Sequence, residues 1–422
     1  MQSCFMSAYL QFIRHNMAGL GFGFLAVFFG NFGQSFFLAW FGSDIQQTLG
    51  LSAGDYGLAY SLATLGSALS LLWLGGLIDR VSVAKYVAGI TIGLAASAIF
   101  MSQVSGVVGL VCGFYGLRLC GQGLLPHTGQ TIMVKHFSKS RGKALGIAIS
   151  GVPVGEVILP VFVVWLISQY GWQDSWLFIG CAIPLLFLPA ALTLLSRMKA
   201  VPDEKSSEAS ATTRVLADEE EVVSVGRREM LADGRFWCLL PAILAPPYVI
   251  TGIFIHQGAL LEAKSWSASW FATCFIFYGI THWLGSLLAG GLVDRFSAKR
   301  LICFYLLPML VGFTLLMLFS GRYIAPLFMI CLGVSMGASG PIIGSLWAEL
   351  YGTIYMGSIR SLITAIVVFS SSLSPVMFGF WLDGGGSMQG IIRLICLGFV
   401  LAILLASYGS FLSLKKSGNR EK

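Results

Sequence analysis

The sequence predicts an all-α membrane protein of twelve transmembrane helices in two pseudo-symmetric six-helix bundles. Three observations carry this prediction. Of 422 residues, 56% are hydrophobic and 11% charged, with a mean hydropathy of +0.81, too little polar side chain to cover a water-soluble globule of this size. Apolar runs recur at lengths suited to a bilayer, whose ~30 Å of hydrocarbon takes about 20 helical residues to cross with every backbone group bonded internally. Finally, Gly75-Gly76-Leu77-Ile78-Asp79-Arg80 returns as Gly290-Gly291-Leu292-Val293-Asp294-Arg295, each copy closing an apolar run and opening a basic loop. The interval from Asp79 to Asp294 is also that from Pro126 to Pro341, Gly129 to Gly344 and Pro160 to Pro375, so one half is a diverged copy of the other.

The spans follow in order. The first (18–42) carries Asn31 and Gln34 on one face, and the second (53–78) closes on the first copy of the repeat. The third (86–104) is followed by a fourth (107–132) with Arg118 at its middle, and the fifth (142–168) holds Glu156. After the sixth (174–196), hydropathy collapses into Pro202-Asp203-Glu204-Lys205 and Asp218-Glu219-Glu220-Glu221. This is a solvated tether, with a surface helix expected over 215–230. The seventh span (236–261) contains His256 and Gln257, and the eighth (267–293) contains Tyr278 and His282 one turn apart and closes on the second copy of the repeat. The ninth (301–320), tenth (324–349), eleventh (359–382, with Ser370, Ser371 and Ser372) and twelfth (389–413) complete the set. The chain thus divides into an N-terminal bundle (1–197), a cytoplasmic linker (198–235) and a C-terminal bundle (236–422).

Lysine and arginine set the orientation. With the N-terminus inside, Arg14, Arg80, Lys85, Lys135, Lys139, Arg141 and Lys143 face the cytoplasm, as do the linker cations, Arg295, Lys299, Arg300, Arg360, Lys415, Lys416, Arg420 and Lys422; only Lys264, Arg322 and Arg393 fall outside. Both termini are therefore expected in the cytoplasm, in the cytoplasmic (inner) membrane. The net charge of +7 is explained by insertion and by contact with lipid headgroups, with no call on nucleic acid. The stretch before Met17 lacks the pattern of a cleavable signal, so the first span is expected to be retained. Of nine cysteines, seven sit singly within apolar spans as small hydrophobes, and no metal-ligand spacing or cofactor motif is present.

Each repeat Asp lies at the cytoplasmic end of a span, where it can face the positive N-terminal end of a helix from the other half and latch one conformation. Gly75 and Gly290 would allow close helix approach, and Arg80 and Arg295 would bind headgroups or carboxylates. These loops resemble the signature G-x-x-x-D-R-x-G-x-[RK]-[RK] of the major facilitator superfamily, with Ser82 and Ser297 where the family usually has glycine. The resemblance covers the whole chain in span count, linker placement and orientation. It implies two six-helix bundles rocking about a central site, and it implies the latch role of Asp79 and Asp294.

Ionisable groups at bilayer depth are functional suspects because their burial is costly. Arg118 resembles the superfamily's fourth-helix arginine, with glycines at +3 and +5, and could hold a substrate carboxylate by two parallel bonds. Glu156, on the neighbouring span, is expected to pair with Arg118 and to serve as the coupling device, picking up a proton and releasing it when Arg118 approaches. His256, Gln257, Tyr278, His282, Asn31, Gln34 and Ser371 are further cavity candidates, whereas Glu349 and Arg360 would form a salt bridge or gate at the interface. The run Ser140-Arg141-Gly142-Lys143 through Gly155 looks like the start of the fifth helix in monocarboxylate and oxalate/formate carriers, although no Asp/Arg pair marks the eighth span. The expectation is a proton-linked carrier, acting as a monomer, for a small or medium organic solute, anionic or zwitterionic because Arg118 is the one central cation. An exporter of amphipathic drugs or metabolites, served by 13% aromatic residues, is the alternative. No convergent nucleophile and base supports an enzyme.

Overall fold

The computed structural model describes residues 11–137, 140–198 and 225–418. Most of the linker (199–224) lies outside them, as do Lys139, Arg420 and Lys422 of the expected cytoplasmic cations and most of the helix expected over 215–230.

Among the described residues, nine helices are long and apolar enough to cross a membrane. One of these, Arg141–Arg197, has 57 residues, about 85 Å if straight, far more than a bilayer needs. It folds back at Gly171, whose φ of 77° is open to glycine and strained for other residues, and so supplies α5 (141–170) and α6 (172–197). The first span α1 is bent by 46° between Met17–Gly33 and Ser35–Leu49, with Gln34 extended at the break. Then come α2 (Ala53–Asp79), α3 (Val83–Met101) and α4 (Val107–His136). The second half holds α7 (Gly234–Ile255), α8 (Ala268–Phe296), the short α9 (Leu307–Leu318), α10 (Ile324–Tyr351), α11 (Met356–Asp383) and α12 (Met388–Ser413). Prolines inside α5, α10 and α11, at Pro160, Pro341 and Pro375, preserve the repeat in the fold itself. Helices in lipid tolerate them where neighbouring groups take up the freed carbonyls, and the Ser371 carbonyl that Pro375 leaves free accepts from Ser374 Oγ at 3.1 Å.

Small residues decide where the halves touch. A Cβ on Gly57 of α2 would lie 2.2 Å from Pro375 O, and one on Gly379 of α11 would lie 2.4 Å from Ala53 O. These helices therefore cross in backbone contact. On the opposite side, a Cβ on Gly279 of α8 would come within 2.7 Å of Pro153 O on α5. Aromatic rings fill the end away from the repeated loops, where Trp40 and Phe36 of α1 pack on Phe275 of α8 with centroids 5.6 and 6.2 Å apart. At that far end the Asp383 carboxylate also receives the Ala53 and Gly54 amides at 3.0 and 2.8 Å. At the loop end the bonds described stay within one half. Val225 N donates to Tyr351 O at 3.0 Å, and at the start of the short helix Arg227–Ala232 the Arg227 side chain donates to Ser358 O and Ser361 Oγ, both at 2.7 Å. The far end is closed between the halves, the arrangement of a two-bundle fold tilted shut on one side.

Candidate functional site

The first of two buried polar centres is built on α4. Gly33 and Gly121 bring α1 and α4 together, since a Cβ on Gly33 would sit 2.2 Å from Leu117 O and one on Gly121 2.6 Å from Gly33 N. There α4 widens into a π-helical turn over Arg118–Leu124, a distortion that frequently marks functional sites in helices. Arg118 opens that turn at 4% exposure, donates Nη1 to Gly33 O at 3.2 Å and lies 4.9 Å over the Tyr60 ring. Its Nε has no partner among the described residues. The guanidinium borders a cavity of about 180 Å³ shared with Thr64, Ser67 and Gln122 and, from α11 of the other half, Val368 and Ser371. A buried cation with open hydrogen-bonding capacity next to a space lined by hydroxyls is chemically suited to an anion.

The second centre crosses the interface. Because Gly279 lets α8 lie against α5, His282, about one turn further on, meets Glu156, and Nδ1 and Oε2 are 2.7 Å apart. Glu156 is 4% exposed. Tyr278 packs its ring on His282 at 5.7 Å and on Phe254 at 5.9 Å, closing the pair off on one side.

The Arg118–Glu156 pair expected from the sequence is not formed. Arg118 turns toward α1 and α2, whereas Glu156 turns out of its bundle toward α8, so the carboxylate finds its cation in the other half. The remaining candidates separate into two groups. Ser371 shares the cavity with Arg118, and Tyr278 and His282 share the second centre. Asn31 instead ties α1 to α5, donating Nδ2 to Gly151 O at 2.9 Å in full burial, and Gln34 sits at the α1 bend. His256 braces α7 on α11 through Pro375 O, and Gln257 is buried beside it at the point where α7 breaks, its Oε1 without a partner among the described residues. Thr64, Ser67 and Gln122 were missed. Their signal was present, since Thr64 and Ser67 are three apart on one face of α2 and Gln122 lies one turn beyond Arg118.

The repeated loops also differ from expectation. Asp79 pairs with Lys135 of α4 in its own half, both exposed, not with a helix end of the other half. Asp294 is exposed, and Arg295 lies 5.1 Å over Phe296. Neither Gly75 nor Gly290 makes a close helix contact, because the halves are apart at this end: a Cβ on Gly75 would meet His127 at 3.5 Å and one on Gly290 nothing within 4 Å. Arg80 is exposed just past the end of α2. Glu349 and Arg360 do not meet. Glu349 accepts from Ser297 Oγ at 2.7 Å, Ala298 N at 2.8 Å and Lys299 N at 3.2 Å, while Arg360 donates to Gly344 O at 3.0 Å. Ser297 has a φ of 70°, which explains why glycine suits that position, and its hydroxyl bond to Glu349 offsets the strain.

Two bundles of membrane-crossing helices, a polar cavity between them and a carboxylate–imidazole pair across their interface define a solute transporter, not an enzyme. The family model described as Major Facilitator Superfamily matches residues 23–375, and the chain belongs to that superfamily. It is similar to monocarboxylate transporter 12 of Mus musculus, 23% identical over 408 residues that cover 88% of this chain and 79% of that protein. The Rattus norvegicus protein of the same name is 24% identical over the same shares. Among solved structures, a bacterial homologue of the human lysosomal transporter Spinster, inward-facing and occupied, aligns with a TM-score of 0.68 at 17% identity over 96% of this chain and 97% of that one. The nucleoside transporter NupG aligns with a TM-score of 0.67 at 16% identity over 93% and 98%. At these identities the structural likeness speaks for the fold alone.

Proposed function

We propose that the chain carries a small organic anion or zwitterion across the cytoplasmic membrane by alternating access, with proton coupling at the Glu156–His282 pair. The observation that carries this reading is that the pair, at 2.7 Å, is a buried titratable contact made between the two halves. A carboxylate and an imidazole so placed hold α5 to α8 while charged or hydrogen-bonded. A proton added to Glu156 neutralises the carboxylate, so the attraction between the charges is lost and the halves are freed to move. Tyr278 on α8 is a titratable neighbour of the pair. Arg118 on α4 belongs to the other centre and faces the cavity, where a carboxylate can engage it through two N–H bonds. The similarity to proteins named as monocarboxylate transporters favours a single carboxylate as the anionic group.

In this reading residues 1–197 and 236–422 are the rocking bundles of a functional monomer. Residues 198–235 join them on the cytoplasmic side with both termini, and the basic loops around Arg80 and Arg295 rest on lipid headgroups. Asp79 and Asp294 engage the other half only when the loop end closes. Purified protein in proteoliposomes with an imposed pH gradient tests the proposal. Uphill uptake of a short monocarboxylate, abolished by a protonophore, is expected; uptake that ignores the gradient would remove the proton from the mechanism.

A further inference from the structure

Alternating access requires a device that holds each end shut in turn, and the repeated loops are not engaged here. We propose that Asp383 is the latch of the far end, and that it works on one side of the pseudo-twofold only. This inference rests on the alternating-access reading but not on its substrate or its coupling ion.

Asp383 is the last residue of α11 in one half, and its carboxylate caps the first turn of α2 in the other, with Oδ1 on Ala53 N at 3.0 Å and Oδ2 on Gly54 N at 2.8 Å. Ser52 Oγ takes the Asp55 amide at 3.0 Å, so α2 fills its own cap and leaves two amides for its partner. A carboxylate at the positive end of a helix is favoured by the helix dipole as well as by the bonds. The contact is also short-armed. A Cβ on Gly54 would lie 2.5 Å from Asp383 Oδ2, and Gly57 and Gly379 hold the two backbones together just below. A separation of a few ångströms between the helices therefore breaks both bonds at once, as a switch between two states requires.

The repeat shows that this latch is single. The interval that carries Asp79 to Asp294 also carries Ala53 to Ala268, at the start of α8, and Ser168 to Asp383. Ser168 is the counterpart of the latch, yet it donates to Trp165 O within its own helix at 2.7 Å, and α8 is capped by its own Ser267, which accepts the Trp270 amide at 3.2 Å. Among the described residues, a carboxylate on the start of a helix joins α2 to α11 and has no counterpart between α5 and α8, so the far end should part from the α2–α11 side.

Spin labels at Gln47→Cys and Ala263→Cys, exposed positions at the far ends of the two halves, report opening by electron–electron distance measurement in nanodiscs on a cysteine-free background. Asp383→Ala and the isosteric Asp383→Asn are each expected to raise the ratio of long to short distances about fivefold, as for loss of a helix cap. An unchanged distribution in Asp383→Asn overturns the proposal, and this variant decides if Asp383→Ala fails to fold. The same labels read at acidic and neutral pH separate the two ideas. Opening in Asp383→Asn without any response to pH in the parent sustains the latch and sinks proton coupling, and the reverse result sinks the latch alone.

Discussion

Glu156 and His282 meet at 2.7 Å across the interface of α5 and α8, although they belong to different halves of a duplicated chain. Neither has an ionisable repeat partner, since the interval that relates the halves places Ser371 opposite Glu156 and Ser67 opposite His282. Breaking a buried pair by removing one member typically costs about 3–5 kcal/mol because the other is left without its partner, whereas removing both is much less harmful. His282→Phe is therefore expected to lower the melting temperature of the purified protein sharply, and Glu156→Leu combined with His282→Phe to recover most of the loss. Additive losses in the double variant would show that the two residues do not act as a unit.

Arg118 offers a test of the anion subsite. Arg118→Lys keeps the charge but loses the planar fork, and hydrogen bonds to charged groups contribute about 1.5–3 kcal/mol. The KM for carboxylate counterflow is expected to rise about tenfold or more, with no change for any transported amide analogue. An equal effect on acid and amide would assign Arg118 to packing against Gly33 and Tyr60.

At the loop end, Glu349 holds the start of the segment Ala298–Leu301 by three bonds. Glu349→Ala is expected to destabilise the protein by about 2 kcal/mol, seen as a fall in melting temperature. Ser297→Gly should be nearly neutral in the same assay. It loses one hydroxyl bond of about 1 kcal/mol while relieving a left-handed backbone that costs a similar amount.

Asp233, just before α7, gives a pH signature outside the membrane. Burial pushes its carboxyl upward, but bonds from Arg235, one of them at 2.6 Å, and from Tyr351 at 3.3 Å prevail and hold it below the usual carboxylate range. A lowered folded-state pKa means stability that is present above the unfolded value of about 4 and lost as pH falls through the folded one. Melting curves of the parent should therefore decline on acidification below about pH 4 more steeply than those of Asp233→Asn. Parallel curves would place the acid sensitivity elsewhere.

Much of the fold was legible because lipid imposes one rule on every span. Length and hydropathy located the helices, and the doubled Gly-x-x-x-Asp-Arg exposed the duplication. The ends were less legible: α9 is shorter than its apolar run, since residues 302–306 form turns. For the site, burial cost alone singled out Arg118 and Glu156, but sequence adjacency of their spans suggested the wrong partner. What decided the pairing was rotation about each helix axis, set by the π turn at Arg118 and by Gly279, and neither is visible as a period in hydropathy. A carboxylate capping a helix of the other half was anticipated at Asp79 and Asp294. It is found instead at Asp383, where the repeat supplies no matching residue to draw attention to it.

The central claim is that the proton acts through Glu156, and Glu156→Gln in proteoliposomes tests it most directly. The expected result is loss of accumulation driven by a pH gradient with counterflow of preloaded monocarboxylate retained, because the solute path persists while the titrating group is gone. Full gradient-driven accumulation by Glu156→Gln would contradict the account.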